Sequence, residues 1–137
     1  FCLIIATFIF TNPLIEQAFP AQVEMYEAAH VLSAHVSETA RVGSFNAGIH
    51  GYYSGRYVIN LDGLVNRGAY EALRERRLKE YLRSERIEYL LDYEIAWRYR
   101  YARFFGSDDF SYLKPLYVFK ERSLYHGSSL VLYKIDL

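Results

Sequence analysis

Five polar side chains stand at the ends of apolar runs: Ser44, Asn46, Asp62, Asn66 and Asp92. Hydroxyls, amides and carboxylates of this kind suit the hydroxyl groups of a sugar, which need both donors and acceptors. An exposed tyrosine such as Tyr52 or Tyr53 suits a sugar's ring face. Three of the five also have plain structural uses. Asn46 and Asn66 are placed to cap helices, and Asp62-Gly63 is a turn dipeptide. No complete catalytic constellation is present, so no residue is assigned a catalytic role. His30 and His35 are five positions apart, which puts them about 140° apart around a helix, too far to share a metal easily. Asp108 and Asp109 are adjacent carboxylates in a Gly-Ser-Asp-Asp loop without a third ligand nearby. No metal and no cofactor is expected.

The five residues gather around one stretch, 41–66, which holds five of the eight glycines. Gly43, Gly48 and Gly51 loosely resemble a dinucleotide-binding fingerprint, but their spacing is G-x-x-x-x-G-x-x-G instead of G-x-G-x-x-G. The glycines read better as a tight strand-to-helix turn with close helix-on-sheet packing.

The elements that must position these residues follow from periodicity. A helix is expected over 22–36, with Val23, Tyr26, Ala29 or His30, and Ala34 recurring near the helical period. Strand 41–45 and helix 47–53 follow, then strand 57–61, whose Val58, Ile59 and Leu61 fit a strand covered on both faces. Eleven residues separate Phe45 from Tyr57, about the minimum for a crossover between parallel strands. Short helices are expected over 69–73 and 78–83, the second burying Leu78, Tyr81 and Leu82. Glu75 and Lys79 form a favourable i,i+4 pair. Residues 87–92, IEYLLD, fit a central parallel strand. Residues 94–105 show both helical spacing and strand alternation, and a helix is the reading adopted. Strands 116–120 and 130–135 close the chain as a hairpin, joined through His126-Gly127-Ser128-Ser129. The expected fold is α/β: a three-layer sandwich with a mainly parallel, Rossmann-like sheet and an antiparallel C-terminal edge hairpin.

Sixteen basic residues balance sixteen acidic ones, so no net field calls for nucleic acid. The mixture Trp97, Arg98, Tyr99, Arg100 and Tyr101 fits a membrane interface, stacking on bases, or simple packing on the sheet. The interleaved arginines and glutamates of 71–88 read as a solvated face, or as one close to anionic headgroups. Residues 1–10, FCLIIATFIF, carry no charge. Ten residues are too few to span a bilayer, which takes roughly 20. The run reads as the end of a transmembrane helix, with 1–20 as that end plus a linker and 21–137 as one soluble α/β domain.

The central unit resembles the soluble C-terminal domain of bacterial polytopic membrane proteins of the C-type glycosyltransferase superfamily, similar to lipid-phosphate-mannose-dependent protein mannosyltransferases. Matching pieces are Val42-Gly43, Asn46-Ala47-Gly48, Gly51-Tyr52, Ser54-Gly55-Arg56, the run Asn60-Leu61-Asp62-Gly63-Leu64-Val65-Asn66, and the 87–93 strand. The resemblance implies a place on the extracytoplasmic side of the cell membrane and a lipid-linked phosphosugar donor. It implies as partners the membrane-spanning part of the same polypeptide, the nearby membrane surface, and a lipid-linked sugar or glycan acceptor. The family's catalytic acid lies in an early loop that this sequence does not contain, so this chain would be accessory and not catalytic alone. Two other readings stay open: a free-standing small-ligand or nucleotide-binding domain, and a structural domain that docks a protein through its tyrosines.

Overall fold

A computed structural model describes residues 19–119 and 128–137. The apolar run at 1–10, Lys120, and His126-Gly127 of the hairpin link lie outside them.

The elements, in order, are α1 (Pro20–His35), β1 (Arg41–Ser44), α2 (Ala47–Ser54), β2 (Tyr57–Asn60), α3 (Arg67–Arg74), α4 (Leu78–Ser84), β3 (Tyr89–Tyr93), a π-helical turn (Ala96–Arg100), a 3-10 turn (Ala102–Phe104), β4 (Leu113–Val118) and β5 (Leu130–Ile135). One five-stranded sheet has the order β2-β1-β3-β5-β4. Strand β1 pairs in parallel with β2 and β3, whereas β5 pairs antiparallel with β3 and β4. The protein is therefore a mixed α/β fold, with the expected antiparallel hairpin at one edge. With two of four pairings antiparallel, the sheet is more evenly mixed than a mainly parallel one.

Side-chain alternation along the central strands feeds two apolar clusters, one on each face. Leu90, Val131 and Tyr133 meet Leu73, Leu78, Leu82 and Trp97 on one face. Leu91, Tyr93, Leu130 and Leu132 meet Ala28 and Leu32 of α1 on the other. β3 holds the central position its apolar run implies. β2 does not hold a doubly covered position: it is an edge strand in which only Ile59 is buried. Val58, Ile59 and Leu61 identified a strand, but nothing in them specified how many neighbours that strand has.

Helix α1 also turns differently from expectation. It starts at Pro20, whose missing N–H costs nothing at a first turn. It buries Ala21, Glu24, Ala28, Ala29 and Leu32, while Tyr26 and Ala34 face solvent. Small alanines let α1 approach closely, and the buried Glu24 accepts a hydrogen bond from the Tyr93 hydroxyl at 2.7 Å. A glutamate read locally is a surface residue; its partner lies 69 positions away.

The basic run does not form one helix. The chain breaks between α3 and α4, where Arg76 adopts φ +56°. Glu75 consequently pairs with Arg77 and Arg74 instead of Lys79.

The turn after β2 requires its glycine. Gly63 has φ +80°, and a Cβ there would stand 2.9 Å from Tyr70 Cα. Gly63→Ala is expected to lower unfolding free energy by about 2–3 kcal/mol, through left-handed backbone strain plus a clash with main chain. Urea denaturation of the two proteins side by side measures it.

Candidate functional site

Strand β1 lies between β2 and β3, so the chain steps one way from β1 to β2 and back the other way, across β1, from β2 to β3. Ligands in open α/β sheets sit outside the carboxyl ends of the strands, where the order reverses in this way. In this protein that position is built on a buried carboxylate.

Asp92, near the end of β3, is fully buried. Its Oδ2 accepts from the backbone N–H of Phe45 at 2.7 Å and of Asn46 at 3.0 Å, and from the Ser44 hydroxyl at 3.1 Å. Its Oδ1 accepts from Asn46 Nδ2 at 2.7 Å and from the Tyr93 N–H at 2.9 Å. Every contact is from a donor, which is the pattern of an ionised carboxylate. Burial pushes its pKa up from the ordinary 3.8, and hydrogen bonds from Asn46, Tyr93 and Phe45 oppose that.

Ser44 extends the network. Its Oγ lies 3.1 Å from His50 Nδ1 and also accepts from the Asn46 N–H. The serine proton goes to Asp92, so Nδ1 must carry the histidine proton. Nε2, which has no hydrogen-bond partner, is then a bare lone pair and not an orphaned N–H. Burial lowers the His50 pKa from 6.5 to about 4, so the ring is neutral near pH 7.

The residue types match a Ser-His-Asp triad, but the connectivity does not. In such a triad histidine stands between serine and aspartate, with the serine oxygen open to substrate. In this chain serine stands in the middle, and all three residues are buried. The set holds the β1–α2 turn in place. It also occupies that turn electrostatically. In phosphate-binding folds the amides of the turn after the first strand receive the anion. The Phe45 and Asn46 amides are already committed to the protein's own carboxylate.

Above this network lies a cleft of about 620 Å³. Phe45 and Tyr101 stack in it, ring centroids 4.1 Å apart and planes 11° from parallel. Asn46 and Asp62 supply polar walls; Leu64, Tyr99 and Arg100 line it further. With Nδ2 given to Asp92, Asn46 has Oδ1 left as an acceptor. Asp62 spends Oδ1 on the Leu64 N–H at 2.8 Å, which leaves Oδ2. Burial raises the Tyr101 pKa; Arg100 opposes this and the Asp62 and Asp92 charges reinforce it.

The segment 94–105 is helical as expected, but not an ordinary α-helix. Its Ala96–Arg100 turn is π-helical, with the Tyr101 N–H bonded to Ala96 O at 3.0 Å. Such wide turns recur at functional sites. This one sets Tyr99, Arg100 and Tyr101 consecutively along the cleft.

The five residues singled out by sequence separate into three places. Asn46 and Asp62 line the cleft. Ser44 and Asp92 lie beneath it, out of reach of any ligand, and orient Asn46. Asn66 lies in another groove, along the free edge of β2 with Tyr81, Arg41 and Glu85. Its Oδ1 caps α3 by accepting from the Ala69 N–H at 3.2 Å, as expected, while Nδ2 donates to Asn60 O and the Tyr81 hydroxyl. Asn46 does not cap α2, because its side chain is drawn to Asp92 instead. Tyr52 and Tyr53 are away from the cleft. Phe45, Tyr99, Arg100 and Tyr101 are cleft residues that the sequence did not single out as a site; the aromatic-arginine alternation over 97–101 was the local signal for the last three. Among the described residues no group of three or more metal-ligating side chains gathers, and no helix is long and apolar enough to cross a membrane.

Fold and cleft together define a mixed α/β domain with an aromatic-lined cavity at the carboxyl ends of its parallel strands. The chain belongs to a family described as a domain of unknown function, DUF8728, whose model matches residues 15–132. No curated protein and no solved structure matches the chain.

Proposed function

We propose that this chain is an accessory, sugar-binding domain of a membrane-embedded glycosyltransferase that uses a lipid-linked phosphosugar. In this reading it sits on the extracytoplasmic side of the cell membrane. Its sheet, covered on both faces, is taken as a Rossmann-like three-layer arrangement with an antiparallel edge. The cleft holds a sugar unit of donor or acceptor, and the chemistry is done elsewhere in the protein.

The observation that supports this is the composition of the cleft. A stacked aromatic pair, an amide oxygen and a carboxylate oxygen face one cavity. That is a surface for a sugar ring and its hydroxyls. The nucleotide reading is less well supported, because Asp92 fills the place where a phosphate would bind with a like charge.

A titration followed by amide NMR tests it. Mannose, glucose and short oligosaccharides of each are added to the chain, with ATP and NAD in parallel. Shifts at Phe45, Asn46 and Tyr101 with a sugar are the expected result. Tyr101→Ala should weaken that binding about tenfold, the loss of one aromatic contact. Shifts with a nucleotide and none with any sugar would overturn the proposal.

A further inference from the structure

The loop between β2 and α3 carries two neighbouring aliphatic side chains that pack on nothing. Leu64 is 85% exposed and Val65 86%. Tyr99, on the π-helical turn, is 76% exposed and lines the same cleft as Leu64. The loop is fixed at both ends. Asp62 accepts from the Leu64 N–H, and Gly63 is pressed against the Tyr70 backbone. Asn66 makes three hydrogen bonds, to Asn60, Tyr81 and Ala69. A pinned loop that presents two bare aliphatics holds them out for something.

The shape of this feature narrows what that something is. Leu64 lines the cleft, and Val65 lines the groove beside the β2 edge. The pair therefore forms a ridge between two hollows. A folded protein partner would need a matching furrow, whereas a fluid bilayer accepts a ridge directly. The charges agree. Arg100, beside Leu64 in the cleft lining, lies over the Tyr101 ring at 5.5 Å and makes no ion pair among the described residues. Arg67 pairs with Glu71, and Arg98, which also lies over the Trp97 ring, pairs with Glu94; both pairs are exposed and compete weakly with other anions. Aliphatics below the headgroups, a tyrosine at their level and arginines on the phosphates make up an interfacial anchor.

We infer that the Leu64-Val65 ridge, with Tyr99 and Arg100, seats on an anionic lipid surface and turns the mouth of the cleft toward it. The inference rests on the proposed function for its purpose, since a lipid-linked sugar would then reach the cleft without leaving the membrane.

The test uses the full 137-residue chain and no sugar. Cys2→Ser is combined with Val65→Cys, or with Glu88→Cys at the opposite end of the strands, and each is labelled with an environment-sensitive fluorophore. Vesicles are phosphatidylcholine alone, or with one quarter phosphatidylglycerol. A blue shift at position 65 with the anionic vesicles, and none at position 88, is expected. Val65→Asp in the unlabelled chain should reduce sedimentation with those vesicles about tenfold while leaving its melting temperature unchanged. No shift at position 65 overturns the inference. So does equal sedimentation of wild type and Val65→Asp, which would assign any binding to the apolar residues 1–10. A concentration-dependent dimer that Val65→Asp dissolves would give the ridge to a second copy of the chain, and also overturns it. Sugar binding without vesicle binding removes this inference alone; vesicle binding without sugar binding removes the proposed function alone.

Discussion

Asp92→Ala is expected to remove about 3–5 kcal/mol of unfolding free energy, the largest loss from any single truncation at the site. The substitution takes one acceptor away from five donors: Ser44, the Phe45 and Asn46 amides, the Asn46 side chain and the Tyr93 amide. The donors stay where the fold puts them, buried or half-buried. Each deeply buried donor left unpaired costs about 1–3 kcal/mol. Against a whole-domain stability of about 5–15 kcal/mol, such a loss leaves little. Asp92→Asn should be nearly as harmful. Whichever way its amide is turned, the NH2 group faces N–H donors instead of accepting from them. Urea melts followed by circular dichroism measure both. An asparagine variant as stable as wild type would mean that Asp92 is protonated in the folded protein.

Stability should also fall on mild acidification, and His50 should be the cause. Above pH 6.5 the ring is neutral in both folded and unfolded chains, so pH changes nothing through it. Between 6.5 and about 4 the unfolded chain takes up a proton that the buried ring refuses. The unfolded state gains, and stability drops by about 3 kcal/mol across that window. Below about pH 4 both states are protonated and the loss is complete. His50→Asn keeps a donor near the Nδ1 position for Ser44 and cannot titrate. It should cost about 1–2 kcal/mol at pH 7, from the ring atoms removed, yet show a flatter curve from pH 6.5 to 4. Asp92 works in the opposite sense. Its raised pKa makes the folded state take a proton more readily as pH falls toward 3.8. Because Asp92 is present in both proteins, the difference between the two curves isolates His50. Equal slopes in wild type and His50→Asn would show that the ring is accessible to protons in the folded state.

The local text of the chain determined most of the elements. Apolar runs marked β3 and β5, Gly55 and Gly63 marked their turns, and Asn66 marked the start of α3. Each of these signals is complete within a few residues, because backbone conformation and helix capping are local. The edge hairpin was legible for the same reason, although β4 runs over Leu113–Val118 and not 116–120. The amide and carboxylate candidates were also readable from residue type alone. What the sequence could not carry was anything that depends on which strand lies beside which. The placement of β2 at an edge, the burial of Glu24 against Tyr93, and the meeting of Asp92 with the β1–α2 turn all join residues far apart in the chain. That last meeting decided the site. It sent Ser44 and Asp92 below the cleft and pulled the Asn46 side chain off its helix cap. It also gave the turn amides an internal anion. The cleft itself arose because one wide helical turn brought Tyr99, Arg100 and Tyr101 over Phe45, a contact between segments more than fifty residues apart. Residue type set what these side chains can bond to; only the packed sheet decided which of them face a ligand.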